Sequence, residues 1–474
     1  MRKTKKKNPT ILLLIILIAI ILGLGSYGYA KVLNTDLIYE GVKVGEFDVG
    51  LMTKEEALNF LKDKKEKEID ENKMTLTYED KEYSINLRDI GFYFEYKKAV
   101  DEAYSVGREG NVFIRLKDIS RSKKEGVQIT LNSDYDKEKI DNIVDIIAQE
   151  IDVEVKEAEF HFNNGNIKVT EDVVGKSIKK EELVQLINDN VYVLNNIEIP
   201  VEDIIPQKTK ALLSRVNGVI GEFSTSFKGS SSDRVENIRI SSKAVSNKLI
   251  MPGDTVSFNQ TTGPREKKYG YREAIVILEG DFTPGVGGGV CQTSTTLYNA
   301  LLLANVTIVE RSHHSIPAKY VKFGQDAAVS YGHMDLKFRN DFDYPIYINS
   351  RVSGDRVYFY VYGDRNARDY IVKIKPEIVE TIVLEDDIIV DNSLEPGTKE
   401  VVQRGRTGYK VNTYKSIIRN GKVVSKDLIT RDFYKPRKFI YRVGPEPLTT
   451  KFSDEDREES PTEDISIEDD NTDD

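Results

Sequence analysis

A single cysteine in 474 residues sets the terms on which this chain can fold. One thiol makes no internal disulfide, so the fold must be held by hydrophobic cores alone. About 440 residues follow the apolar N-terminus, more than one core usually serves, so several domains are expected. The cysteine itself is therefore left over for some other purpose. It lies at position 291, within Gly287-Gly288-Gly289-Val290-Cys291-Gln292-Thr293-Ser294.

Leu297, Ala300, Leu301 and Ala304 repeat at helical spacing after the cysteine, which predicts a helix starting at the glycine run. A thiol in the first turn of a helix feels the positive end of the macrodipole, which favours the reactive thiolate. Glycines just before it free backbone N–H groups to face a substrate oxygen, so Gly288, Gly289 and Val290 are candidate oxyanion donors, with Gln292 beside them. His313, His314 and His333 follow within 42 residues. A helix from Gln292 to Asn305 spans roughly 21 Å, and an extended return from Val306 to Ser312 covers roughly 23 Å. The histidine pair thus comes back to the level of the thiol, where one ring takes its proton and later acts as general acid. Neighbouring side chains of an extended segment face opposite ways, so only one of the two faces Cys291. Asp326 and Asp335 are both candidates to orient that base, and Arg311 is a candidate for gripping a substrate carboxylate. The bland alternatives are a small buried cysteine and a histidine pair that satisfies a turn. The short-knuckle spacing of zinc ligands is absent, no Lys-Ser/Thr follows the glycines as a phosphate loop requires, and no metal or cofactor is expected. His161, in Phe160-His161-Phe162, reads as an outward-facing strand residue.

At the N-terminus, Arg2, Lys3, Lys5, Lys6 and Lys7 precede an uncharged run from Ile11 to Ala30. That is about the 20 residues of a spanning helix. It predicts a basic cytoplasmic segment over 1–10, a transmembrane anchor over 11–30, and an extracytoplasmic body. A cleaved signal peptide is the rival, with Gly28 and Ala30 near the cut. The net charge of −10 is uneven: Asp454 to Asp474 carries −11 and the first ten residues +5, so the body holds only −4. The acidic stretch within 446–474 predicts a disordered tail. Basic residues form no stripe backed by aromatics, which argues against nucleic acid.

Between these ends the chain reads as multidomain α+β. Residues 31–206 alternate short strands with amphipathic helices, and two segments, 83–103 and 167–187, look like copies of one strand–glycine–helix unit. Residues 207–368 hold the cysteine, with a helix through Val235, Ile238, Val245 and Leu249, then strands at 255–258, 306–309, 346–348 and 357–362. From 373 to 445 the pattern is wholly β, and Asn420-Gly421 predicts a type I′ hairpin.

Residues 223–350 resemble the VanW family. The matching pieces include Arg234…Asn237-Ile238, Pro252-Gly253-Asp254…Ser257-Phe258-Asn259, Gly287-Gly288-Gly289-Val290-Cys291-Gln292, Glu310-Arg311…His314-Ser315, Gly324-Gln325-Asp326-Ala327 and Asp335-Leu336-Lys337-Phe338…Asn340. In that resemblance His314, not His313, holds the family's histidine position, and Asp326 its aspartate. Residues 75–195 are similar to the peptidoglycan-binding domain that often precedes VanW. Residues 373–445 are similar to a G5 module, with Gly397, Gly405, Gly408, Gly421 and Gly444. The resemblance implies a bacterial cell-wall protein linked to glycopeptide resistance, with peptidoglycan stem peptides as partners and the membrane as its anchor point. It further implies a cysteine L,D-transpeptidase that joins stems through their third residues, with Cys291, His314 and Asp326 catalytic. The alternatives are a non-catalytic wall-binding scaffold and a thiol peptidase or carboxypeptidase.

Overall fold

The computed structural model of the chain describes residues 9–278 and 281–445. The expected acidic tail over 446–474, and residues 1–8 of the basic segment, lie outside the described residues.

The transmembrane anchor expected over 11–30 does not hold. The first helix runs Pro9–Leu33, yet among the described residues no helix is long and apolar enough to cross a membrane. The reason is visible in its sequence. The unbroken apolar run from Ile11 ends at Leu22, twelve residues in all, and Gly23, Gly25, Ser26 and Gly28 then dilute it. A run of about 10–14 apolar residues falls short of a span. The single-pass membrane localisation and the membrane as partner are withdrawn with it.

The multidomain α+β character is present, in two compact units. The first comprises the chain up to Lys156 together with Val173–Ile205. Its helices Lys54–Glu71, Tyr96–Ser105, Lys137–Ile151 and Lys180–Asn190 pack against small sheets. Thr53 opens the first of these with a reciprocal capping box to Glu56, which satisfies two backbone donors at once. Apolar faces such as Ile140, Val144, Ile147 and Ile151 meet Met74, Leu76 and Ile85 in one core. A second core gathers around Ile38, Val42, Leu61 and Val100.

The second unit is Glu157–Asp172 with the chain from Pro206 onward. Its first member is the hairpin Phe160–Asn163/Asn166–Val169, whose Phe160 and Phe162 rings lie 4.9 and 4.8 Å from the Tyr347 ring. The repeat suggested by the sequence therefore does not hold: its second strand belongs to this unit and its second helix to the other. The local order of strand, glycine and helix does recur at both places, but it is not packed as two copies of one unit.

A four-stranded antiparallel sheet, ordered Gly218–Ser226, Arg356–Gly363, Ile346–Ser353 and Lys248–Ile250, forms the floor of this unit. The helix Val290–Leu303 lies against it, with twelve of its fourteen residues buried. Gly221 allows that approach, since a Cβ there would meet the backbone of Ala300 and Ala304. Helix Ser232–Val245 packs alongside and ends sooner than expected: Asn247 takes a left-handed φ of 57°, and Leu249 joins a strand. A three-stranded sheet of Thr255–Ser257, Lys337–Arg339 and Thr307–Glu310 and the hairpin Glu273–Leu278/Asp281–Val286 complete the domain. Beyond it, Ile371–Ile382, Gly408–Arg419 and Lys422–Tyr434 form one sheet, and Asp387–Val390, Ile440–Val443 and Lys399–Gln403 another. Asn420 and Gly421 both have positive φ, as the expected type I′ turn requires.

Candidate active site

The glycine turn sets the thiol in place. Gly287 and Gly289 have φ of 91° and 107°, a region that side chains strain to enter. The chain turns tightly there and enters the helix with Gly289 as N-cap and Cys291 as second residue. The Val290 N–H donates to the Gly287 carbonyl at 3.1 Å, and that of Gln292 to Gly289 at 3.0 Å. Among the described residues no acceptor takes the N–H of Gly288, Gly289 or Cys291. Val290 thus drops out of the expected oxyanion donors and the cysteine's own N–H replaces it.

After the strand Thr307–Glu310, residues 312–328 form a loop closed by a bridge between Ser312 and Ala328. The helix holds this loop. Ser294 donates to the Ala327 carbonyl at 2.7 Å, Thr295 accepts the Ala327 N–H at 2.9 Å, and Asn299 donates to the Gln325 carbonyl at 2.8 Å. The polar residues of an otherwise buried helix are thereby explained: they fasten the segment that carries the base.

On that loop Asp326 accepts the His314 N–H at 2.7 Å and meets its ring Nδ1 at 2.6 Å. Nε2 is left on the side of Cys291, whose Sγ donates to the Val329 carbonyl at 3.5 Å, and the imidazole and the thiol influence each other's charge across the gap. Burial opposes each of these charges, yet the group as a whole holds them. Against its desolvation, the hydrogen bond to Asp326 and the nearness of the Cys291 charge push His314 up to about 10. Asp326 is likewise held down at about 2 by His314 and Arg311 despite its burial. Burial alone would raise the Cys291 thiol, but the neighbouring His314, the bond to the Val329 carbonyl and the Arg265 charge bring it below its ordinary value. Both directions favour a thiolate beside an imidazolium, with the carboxylate steadying the ring.

The far side of Asp326 is closed by the trailing β module. Tyr434 donates its hydroxyl to Asp326 Oδ1 at 2.6 Å and accepts the Gly324 N–H at 2.8 Å. Burial and the Asp326 charge push this phenol far up, so it stays a donor. Arg311 meets Asp432 Oδ1 at 2.5 Å and Asp326 Oδ1 at 3.3 Å, and donates to the Asp326 carbonyl at 2.6 Å. Arg311 was expected to grip a substrate; its fork is instead filled by two buried carboxylates, and it positions Asp326.

The other candidates fall into place. Asp335 accepts from Ser257 at 2.5 Å and from the Asn259 N–H at 2.9 Å; it fastens that turn and not the histidine. Gln292 is 1% exposed, and its amide links Thr225, Ser226 and Arg234. His313 turns from the thiol, its Nδ1 2.7 Å from the His314 carbonyl oxygen and its ring edge-on to Tyr434. It faces a cavity of about 700 Å³ shared by Arg311, Lys415 and Asp432. His333 and His161 are exposed. Sequence reasoning missed Tyr434, Asp432, Arg234 and Arg265. Only Arg234 had a signal, as part of a recognisable motif.

The structure thus brings Cys291, His314 and Asp326 together at a helix start on an α+β domain. The comparisons name the relatives. Residues 233–362 match the model described as VanW like protein, residues 83–196 the "Putative peptidoglycan binding domain", and residues 375–446 the G5 domain. The chain carries these three domains in the order its motifs indicated. It is 38% identical over 170 residues to the uncharacterized protein YoaR of Bacillus subtilis (strain 168), covering 36% of this chain and 56% of YoaR. It is 31% identical over 138 residues to the vancomycin B-type resistance protein VanW of Enterococcus faecalis (strain ATCC 700802 / V583), covering 28% and 50%. The chain thus spans about half the length of the curated relatives it matches. Among solved structures, it is similar to HP0197-G5 at 26% identity, covering 16% of this chain and all of that one, with a TM-score of 0.12. The IgA1 protease G5 domain matches at 22% identity over 17% and 98% of the two chains, with a TM-score of 0.14.

Proposed function

We propose that this protein acts at the bacterial cell wall as a cysteine acyltransferase on peptidoglycan stem peptides, in the manner of an L,D-transpeptidase. The observation that carries this reading is the line from Cys291 through His314 to Asp326, with three unclaimed N–H groups beside the thiol. The Cys291 thiolate attacks the carbonyl after the third residue of a tetrapeptide stem. The oxyanion that forms is met by the N–H groups of Gly288, Gly289 and Cys291. His314 gives its proton to the leaving amine as the C–N bond breaks, and terminal D-alanine departs, leaving a thioester. A side-chain amine of a neighbouring stem then attacks the thioester; His314 takes up its proton, the thiolate leaves, and the stems are joined through their third residues. Water in place of the amine gives a trimmed peptide instead. The peptidoglycan binding and G5 domains named among the matches support a wall substrate.

The test is product analysis of purified muropeptides incubated with the protein and with Cys291→Ala. Joined stems lost in the variant support transfer, and trimmed peptides alone favour a carboxypeptidase. Unchanged products in the variant leave a non-catalytic wall-binding scaffold.

A further inference from the structure

Two arginines stand next to the thiol with no acid to neutralise them. Arg234 donates to Gln292 Oε1 at 2.8 Å and reaches Ser230 at 3.4 Å; Arg265 donates to Asn259 at 2.6 Å and to the Gly263 carbonyl at 3.1 Å. All four acceptors are neutral. The nearby carboxylates are engaged elsewhere: Asp233 pairs with Arg272 at 3.0 Å, and Asp335 is held by Ser257, Asn259 and Leu336. Asp335 attracts Arg265 only from a distance, without an ion pair. Both side chains pack on the glycine turn: a Cβ on Gly287 would meet the stem of Arg265, and one on Gly289 the stem of Arg234. They therefore flank the residue that follows the turn, Cys291.

Half-burying a guanidinium without a carboxylate partner is costly, and a chain that keeps two of them in one place gains little in stability from either. Their burial does pull both below the ordinary arginine value, and both feel the Cys291 charge. Fork-shaped donors suit a carboxylate, which can take two parallel hydrogen bonds.

We infer that Arg234 and Arg265 form a carboxylate subsite beside Cys291, selecting substrates with a free carboxylate close to the bond attacked over amidated ones. The inference rests on the thiol-transfer reading for its substrate but not for its test. Alkylation of the full chain by iodoacetate and by iodoacetamide compares a carboxylate with its neutral isostere on the same thiol, and needs no transfer activity. A change in thiolate fraction alters both rates together, so the change in their ratio between wild type and the arginine variants reports the subsite. The wild-type ratio, taken relative to free cysteine, should exceed one by about tenfold, the worth of one charge-assisted hydrogen bond. Arg265→Gln and Arg234→Gln should each remove most of it, and Arg265→Lys should restore part. Iodoacetamide labelling and the melting temperature show that each variant is folded. A wild-type ratio no higher than that of free cysteine, or an unchanged ratio in folded Arg265→Gln, overturns the subsite. Failed muropeptide turnover with the ratio intact would instead remove only the transfer reading.

Discussion

The two sides of the Cys–His–Asp line are built to opposite rules. Behind it, Arg311, Asp326, Asp432 and Tyr434 leave no charge without a partner, and the ion-paired side chains are all at most 6% exposed. In front of it, Arg234 and Arg265 carry charge that no carboxylate meets. The first arrangement fixes geometry; the second waits for something to bind. The lesson is that a buried arginine is read by what faces it. By residue type alone Arg311 was the obvious substrate clamp, and it is the one whose hydrogen bonds are already used.

The contrast can be broken most sharply at its centre. Cys291→Ala should abolish thiol labelling and all muropeptide products while the protein stays folded, since Ala suits a helix start. His314→Ala should lose nearly as much, because nucleophile and base act as one unit.

Next come the arginines themselves, measured by thermal unfolding. Arg311→Met strands two buried carboxylates and should cost about 3–5 kcal/mol. Arg265→Met strands only neutral groups and should cost about 1 kcal/mol or less. Equal losses would erase the distinction between the two sides.

Tyr434→Phe removes one hydroxyl from Asp326 and should slow iodoacetamide alkylation at neutral pH by about threefold to tenfold, the worth of one hydrogen bond. The thiol's apparent pKa should rise with it. A fall in melting temperature without that rise would make the tyrosine a packing residue only.

The pH dependence of stability is the subtler test. Asp326 sits at about 2, below its ordinary 3.8, so its contribution is present above 3.8 and fades as pH falls toward 2. His314 sits at about 10, above its ordinary 6.5, so its contribution is full below 6.5 and fades as pH rises toward 10. The wild type should therefore gain most over His314→Ala between about pH 4 and 6.5. The smallest effect belongs to His313→Ala, which should change alkylation less than twofold, since that ring faces the rear cavity.

Much of the active line was legible because it is local. Gly287 to Cys291 is a contiguous motif, helix and return strand lengths bring the pair His313–His314 back to it, and the family resemblance picks His314. The choice between Asp326 and Asp335 was not legible from residue type, for each is a buried acid on a loop. It is decided by which one the loop 312–328 carries to the histidine. Tyr434, Asp432 and Arg265 were invisible because they arrive through tertiary contacts from other segments. The packing of the hairpin Phe160–Val169 was invisible for the same reason: its aromatics meet Tyr347, nearly two hundred residues later. The membrane anchor failed on counting uncharged residues where the unbroken apolar run was what mattered.

The tyrosine that fastens Asp326 has a consequence in time. Cys291 leaves the ribosome well before Asp432 and Tyr434, which are among the last of the described residues to be made. Until they fold into place, nothing on the far side holds the aspartate or, through it, the imidazole. A nascent or prematurely ended chain thus carries a more ordinary thiol, slow to react with whatever it meets. The surroundings that tune the Cys291 thiol are complete only once these late residues have folded.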